Sequence, residues 1–176
     1  MGKVLMIIPP ENYRDVELDV PKKHLEEKGH EVVIASTKKG ECKGADGGTV
    51  EAALTLEDIN IESYDAVVFI GGPGTPLIRK EAKALETAKD AAEKGKVLGA
   101  ICWACTTLAK AGVLTGKKAT VWVGNDAEYC MGTDKVLEKF GATFEGRGVV
   151  VDGKFVTADG PAHAKQFAEA IEKLLG

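Results

Sequence analysis

Short apolar runs along the chain alternate with longer stretches in which apolar residues recur every three or four positions. Val4–Ile8, His30–Ser36, Tyr64–Ile70, Lys96–Ile101 and Ala119–Val123 are apolar through their centres, without in/out alternation. That pattern predicts strands buried on both faces. Between them, Val16–Lys28 reads as a helix that Pro21 should kink and Gly29 should end. Pro76–Lys94 reads as a helix rich in Ala, Lys and Glu and closed by Gly95; Trp103–Ala111 reads as a short helix before a turn over Gly112–Lys118. Thr133–Phe140 predicts a small helix capped by Thr133, and Pro161 opens a last helix reaching Leu175. Gly40–Gly48 predicts a turn or hairpin leading into Thr49–Leu56, and Gly148–Val151 and Phe155–Thr157 two β-runs joined at Asp152-Gly153.

Strands and helices in alternation, with strands apolar throughout, predict a doubly wound α/β fold with a mainly parallel sheet covered on both faces. No linker or repeat divides residues 1–176, so a single domain is expected. A chain of 176 residues with 44% hydrophobic positions can bury a substantial core, which excludes a disordered or disulfide-stapled class. With 23 basic and 27 acidic residues, the net charge is −4, and no dense Lys/Arg run is present. Neither nucleic acid nor an anionic membrane is an expected partner. The run Val4–Ile8 is too short for a secretory core, so a cytoplasmic protein with reduced cysteines is expected.

In such folds the working crevice lies beyond the carboxyl ends of the strands, where strand order reverses. That directs attention to Pro9–Asp15, Gly71–Thr75 and Ile101–Cys105, with Gly124–Cys130 as a fourth wall. Cys102 stands at the change from a buried strand to a helix, where a nucleophile elbow presents its side chain. The helix N-terminus there would favour the thiolate and lower the thiol from its usual value of about 8.5; alternatively, Cys102 is a small residue packing helix on strand. Gly71-Gly72-Pro73-Gly74 is either a strand-ending turn or the source of an oxyanion-hole amide at Gly72, beside that of Trp103. Glu17, early in the first helix, is either solvated or a protonated carboxyl turned toward the same crevice.

Asp15-Val16-Glu17-Leu18, Gly71-Gly72 and Ala100-Ile101-Cys102 stand at the separations found in the ThiJ/PfpI superfamily, which the chain resembles. The likeness extends through Lys28-Gly29-His30-Glu31-Val32, Ala111–Lys117 and Val149–Gly153 and covers essentially the whole chain. It implies a flavodoxin-like three-layer sandwich of the class I glutamine amidotransferase type, assembled as a homodimer or higher oligomer. It also implies Cys102 as nucleophile, Glu17 as its protonated partner, and the Gly72 and Trp103 amides as oxyanion hole. Protease-like members place His directly after the cysteine, where this chain has Trp103. Deglycase-like members carry His after the elbow helix, where Trp122 stands here.

His24, His30 and His163 are the only histidines, and His163, after Asp159-Gly160-Pro161, is the one placed to approach Cys102. Asp126 and Glu128 are further acid/base candidates on the wall after Trp122. Cys102-Trp103-Ala104-Cys105 is a CxxC at a strand-to-helix junction, so Cys105 is either a resolving thiol or an inert core residue. The fingerprints GxGxxG and GxxxxGK[ST] are absent and no second CxxC exists, so neither a cofactor nor a metal is expected. Two functions follow: a cysteine-dependent hydrolase-like enzyme taking small carbonyl compounds or peptides, or a thiol redox protein whose partner is an oxidant. Trp103 and Trp122, if both face the cleft, would make it apolar and crowded.

Overall fold

The computed structural model describes residues 1–176. Seven strands form the central sheet: β1 (Lys3–Ile7), β2 (Glu31–Ser36), β3 (Leu54–Thr55), β4 (Ala66–Phe69), β5 (Val97–Ile101), β6 (Val149–Asp152) and β7 (Phe155–Ala158). Their order is β6-β7-β5-β4-β1-β2-β3, parallel throughout except for the β6–β7 hairpin. In β1 the side chains of Leu5 and Ile7 enter one core cluster, and those of Val4 and Met6 the other. Both faces are buried, and this is why the strand runs carry no polar alternation.

Helices α1 (Asp15–Glu27) and α6 (Ala164–Leu175) cover one face. Helices α2 (Thr75–Arg79), α3 (Ala82–Glu93), α4 (Cys105–Lys110) and α5 (Thr133–Lys139) lie toward the other. α6 approaches the sheet closely because Gly99 has no side chain; a Cβ there would lie 3.1 Å from the Phe167 ring. α1 runs without a break through Pro21, which lacks only the amide that would have bonded Glu17. No helix is long and apolar enough to cross a membrane.

Three local expectations are corrected. Pro76–Lys94 is two helices, not one: Glu81 is extended, and the break follows Arg79, whose side chain is fully buried. Within Ala119–Val123 only Ala119 belongs to a strand, the two-residue Lys118–Ala119 beside Thr143–Phe144. The next amides leave the ladder: Thr120 donates to the Thr157 hydroxyl, and Trp122 to the carbonyl of Cys102. Thr133 is the first residue inside α5 and not its cap, because its hydroxyl donates to the Trp122 carbonyl while accepting from the Gly124 amide.

The chain returns from β3, beyond β2, to the opposite side of β1 to form β4, so strand order reverses between β1 and β4. The loops after β1, β4 and β5 meet above that point, as the crevice rule requires. A small three-stranded sheet, Glu11–Tyr13 with the hairpin Gly40–Gly44 and Thr49–Ala52, walls one side.

Candidate active site

β5 ends at Ile101, and Cys102 follows with φ +62°, the left-handed region that a branched side chain rarely enters. Holding a non-glycine residue there costs about 1–3 kcal/mol, which the surrounding packing must offset. The turn lifts Sγ out of the strand toward the crevice while leaving Cys102 only 8% exposed. A single 3₁₀ turn, Cys102–Ala104, separates it from the six-residue α4.

Glu17 reaches the sulfur from the first turn of α1 and is completely buried. Its Oε2 accepts from the Gly71 amide at 3.1 Å, and its Oε1 has no partner among nitrogen or oxygen atoms. Burial pushes this carboxyl up to about 7, against the opposing pulls of the Cys102 thiol, Arg14 and the Gly71 amide. Gly71 must be glycine, since a Cβ would sit 2.6 Å from the Ile101 carbonyl and 2.9 Å from both Cys102 and Glu17. Gly72 has φ +110°, and a Cβ would collide with the Arg14 amide at 2.5 Å.

Burial pushes the Cys102 thiol up, and an ionised Glu17 pushes it further, whereas the amides of Trp103 and Gly72 pull it down by bonding the sulfur. The low thiol expected from a helix N-terminus alone is therefore not what the structure presents. α4 is short and begins three residues later, so its dipole is weak at the sulfur. The controlling group is Glu17. The two acids act on each other directly and so titrate as a unit.

The crevice is a cavity of about 610 Å³ lined by Arg14, Val16, Asp46, Gly72, Pro73, Cys102, Trp103, Trp122 and Pro161. Its two charged residues neutralise each other: Arg14 Nη1 lies 2.9 Å from Asp46 Oδ1. Asp46 sits in the turn of the Gly40–Ala52 hairpin, which is fastened to α1 through the Asp15 carboxylate, an acceptor for the Asp46 and Gly48 amides.

Four sequence candidates therefore converge on the crevice: Cys102, Glu17, Gly72 and Trp103. Four do not. His163 is held by Asp159 at 2.6 Å and does not line the cavity; no histidine does. Asp126 cannot serve as a proton carrier, because it is fully buried beneath Trp103 in a bidentate pair with Arg79. Burial pushes its carboxyl up, but hydrogen bonds from Arg79 and Trp103 outweigh that and hold it below the usual carboxylate range. Glu128 bonds the same Arg79, at 2.8 Å. Cys105 is turned into the core with its thiol donating to the Ala100 carbonyl, and burial pushes that thiol far up, so the CxxC presents one sulfur to the crevice. No group of His, Cys, Asp or Glu is placed to hold a metal ion.

The sequence reading missed Arg14 and Arg79. A compositional signal was available: the chain has only three arginines, Arg14, Arg79 and Arg147, among 23 basic residues, and arginine is the cation suited to buried bidentate pairs.

Beside this site geometry, the family model described as the DJ-1/PfpI family matches residues 2–174. The chain belongs to the DJ-1/PfpI family. It is 34% identical over 171 residues to the deglycase PfpI of Pyrococcus furiosus, covering 97% of this chain and 98% of that one. A glutathione-independent glyoxalase of Caenorhabditis elegans is 25% identical over 171 residues, covering 97% of this chain and 87% of its own. Among solved structures, a ThiJ/PfpI domain protein from Brachyspira murdochii superposes with a TM-score of 0.91 at 27% identity, covering 98% of this chain and 95% of that one. Oxidised DJ-1 of Toxoplasma gondii gives a TM-score of 0.82 at 29% identity, covering 99% and 91%.

Proposed function

We propose that this DJ-1/PfpI protein is a cysteine-dependent enzyme acting on small carbonyl compounds, of the glyoxalase or deglycase kind, with Cys102 as nucleophile. The observation that carries the reading is the unpaired, fully buried Glu17 beside a cysteine held in the left-handed region. A buried carboxyl with no ion-pair partner keeps its proton near neutrality, and in the pair's singly charged state that proton on Glu17 leaves the charge on sulfur. Two amides then stabilise the thiolate, and the like-charge repulsion that would raise it is gone. The likeness to a deglycase and to a glyoxalase favours a carbonyl substrate.

The chemistry balances without a further group. The Cys102 thiolate adds to the aldehyde carbon of a 2-oxoaldehyde, the C–S bond forms, and the carbonyl π pair moves to oxygen. The Gly72 and Trp103 amides, released as the sulfur loses its charge, bond the new oxyanion, which takes the Glu17 proton to give a hemithioacetal. Glu17, now a carboxylate with a pKa near 7, removes the carbon-bound proton to give an enediolate and returns it to the neighbouring carbon, while the hydroxyl proton passes to the neighbouring oxygen; the resulting thioester is cleaved by water to a 2-hydroxy acid, which frees the Cys102 thiolate. Lacking a histidine in the cavity, the site uses one residue as acid and base in turn.

Methylglyoxal consumption by the wild type and by Cys102→Ser tests this. The wild type is expected to consume the dicarbonyl, and the variant to lose at least about 100-fold in kcat/KM with its fold intact. Equal rates in the two proteins would overturn the reading.

A further inference from the structure

Beneath the crevice lies a polar cluster that the proposed reaction does not use. Arg79 and Asp126 are both completely buried. Arg79 bonds both Asp126 oxygens, and it also donates to the Thr106 hydroxyl at 2.9 Å. Thr106 in turn donates to the Trp103 carbonyl at 2.7 Å, and the Trp103 indole Nε1 donates to Asp126 Oδ2 at 2.8 Å. The guanidinium also lies between two aromatic rings, 5.7 Å from the centre of Trp103 and 5.1 Å from that of Tyr129. Residue 103 is thus tied to one buried cation through both its backbone and its ring. A desolvated ion pair is an unfavourable way to gain stability alone, so its use beneath a cavity wall points to geometry as its purpose.

The wall it fixes has a definite shape. The Trp103 and Trp122 rings, both lining the cavity, are 6.0 Å apart and tilted by 52°, a contacting aromatic pair beside which a third aromatic group could pack. Pro73, Pro161 and Val16 complete the apolar lining, and the one charged pair, Arg14 with Asp46, sums to zero. Apart from the Cys102 thiol and the two indoles, the polar side chains on these walls are Arg14 and Asp46, which already bond each other.

We propose that the Arg79–Asp126 pair positions the Trp103 indole opposite Trp122, and that this fixed aromatic wall makes the crevice select uncharged carbonyl compounds bearing a flat aromatic group. The proposal rests on Cys102 as the carbonyl-attacking nucleophile and adds the class of substrate and the two positioning residues.

Alkylation of Cys102 reads the selectivity without requiring turnover. Rates with 2-iodoacetamide, N-benzyl-2-iodoacetamide and 2-iodoacetate are each divided by the rate of glutathione with the same reagent. The wild type is expected to favour the benzyl reagent over iodoacetamide about tenfold and to disfavour the anionic reagent. Asp126→Asn and Trp103→Phe are each expected to reduce the benzyl preference to within about twofold of glutathione. In a Trp122→Phe background Trp103 is the only tryptophan, and adding Asp126→Asn should increase quenching of its fluorescence by acrylamide. Should Asp126→Asn fail to fold, Trp103→Phe, which leaves the ion pair intact, decides. A wild type without aromatic preference, or a preference that survives loss of the indole N–H, overturns the proposal. Phenylglyoxal should also be consumed with a higher kcat/KM than methylglyoxal. If neither is consumed while the alkylation preference holds, the carbonyl chemistry fails and the positioning role of Asp126 stands.

Discussion

Two carboxyls meet the consecutive residues Cys102 and Trp103 from opposite sides, and both are completely buried. Glu17, against the sulfur, feels Arg14 only at a distance, makes no ion pair and has an oxygen without a partner; Asp126, against the indole, is gripped at both oxygens by Arg79. Equal burial gives opposite results: Glu17 is pushed up to about 7, whereas Asp126 is held below the usual range. Burial alone therefore does not make a carboxyl reactive. The lack of an ion pair turns Glu17 into a proton store, and the guanidinium turns Asp126 into a fixed anchor that holds a wall.

The largest effect separating the two should come from Arg79→Met. It leaves Asp126 buried and uncompensated, and a loss of about 3–5 kcal/mol is expected in urea unfolding. Adding Asp126→Leu should recover most of it, because an apolar pair of similar volume needs no ion solvation. A single variant as stable as wild type would show that the pair is not desolvated as the structure has it.

A smaller effect, of opposite sign in pH, belongs to Glu17. Its folded value of about 7 lies above its ordinary 4.5, so between those values the folded chain keeps a proton that the unfolded chain has released. Stability from this group is accordingly full below about pH 4.5, falls as pH rises to 7 and is flat beyond, a loss of about 3 kcal/mol. Asp126, held low, contributes in the opposite sense, losing stability as pH falls through its folded value. Glu17→Gln should remove the loss between pH 4.5 and 7, making the variant more stable than wild type at pH 8 but not at pH 4. Parallel pH profiles from denaturant unfolding would contradict this.

The two regions also differ in how far they could be read from residues alone. The sheet and the Cys102 elbow were legible because their signals are local: continuous apolar runs, glycines at strand ends, and a cysteine where strand becomes helix. Glu17 and the Gly71-Gly72 pair gained their meaning from the spacing shared with a family. The anchor was illegible. Arg79 and Asp126 are 47 positions apart, and Arg79 sat inside what read as one amphipathic helix from Pro76 to Lys94. Asp126 looked like an acid/base candidate because a sequence shows that a carboxyl is near the site but not what neutralises it. The Thr120–Val123 segment misled for a related reason. Its apolar residues suit a strand, yet its amides are taken by Thr157 and by the Cys102 carbonyl.

The central claim is that Glu17 holds the proton and Cys102 the charge. The direct measurement is the pH dependence of Cys102 alkylation by iodoacetamide in wild type and Glu17→Gln. On this account the wild-type rate should rise with a midpoint below the roughly 8.5 of a free thiol. In the variant, a neutral amide replaces a carboxylic acid as donor to the thiolate, and the midpoint should move upward by about one unit. A midpoint that moves downward would mean that an ionised Glu17 had been suppressing the thiolate, and would contradict the account.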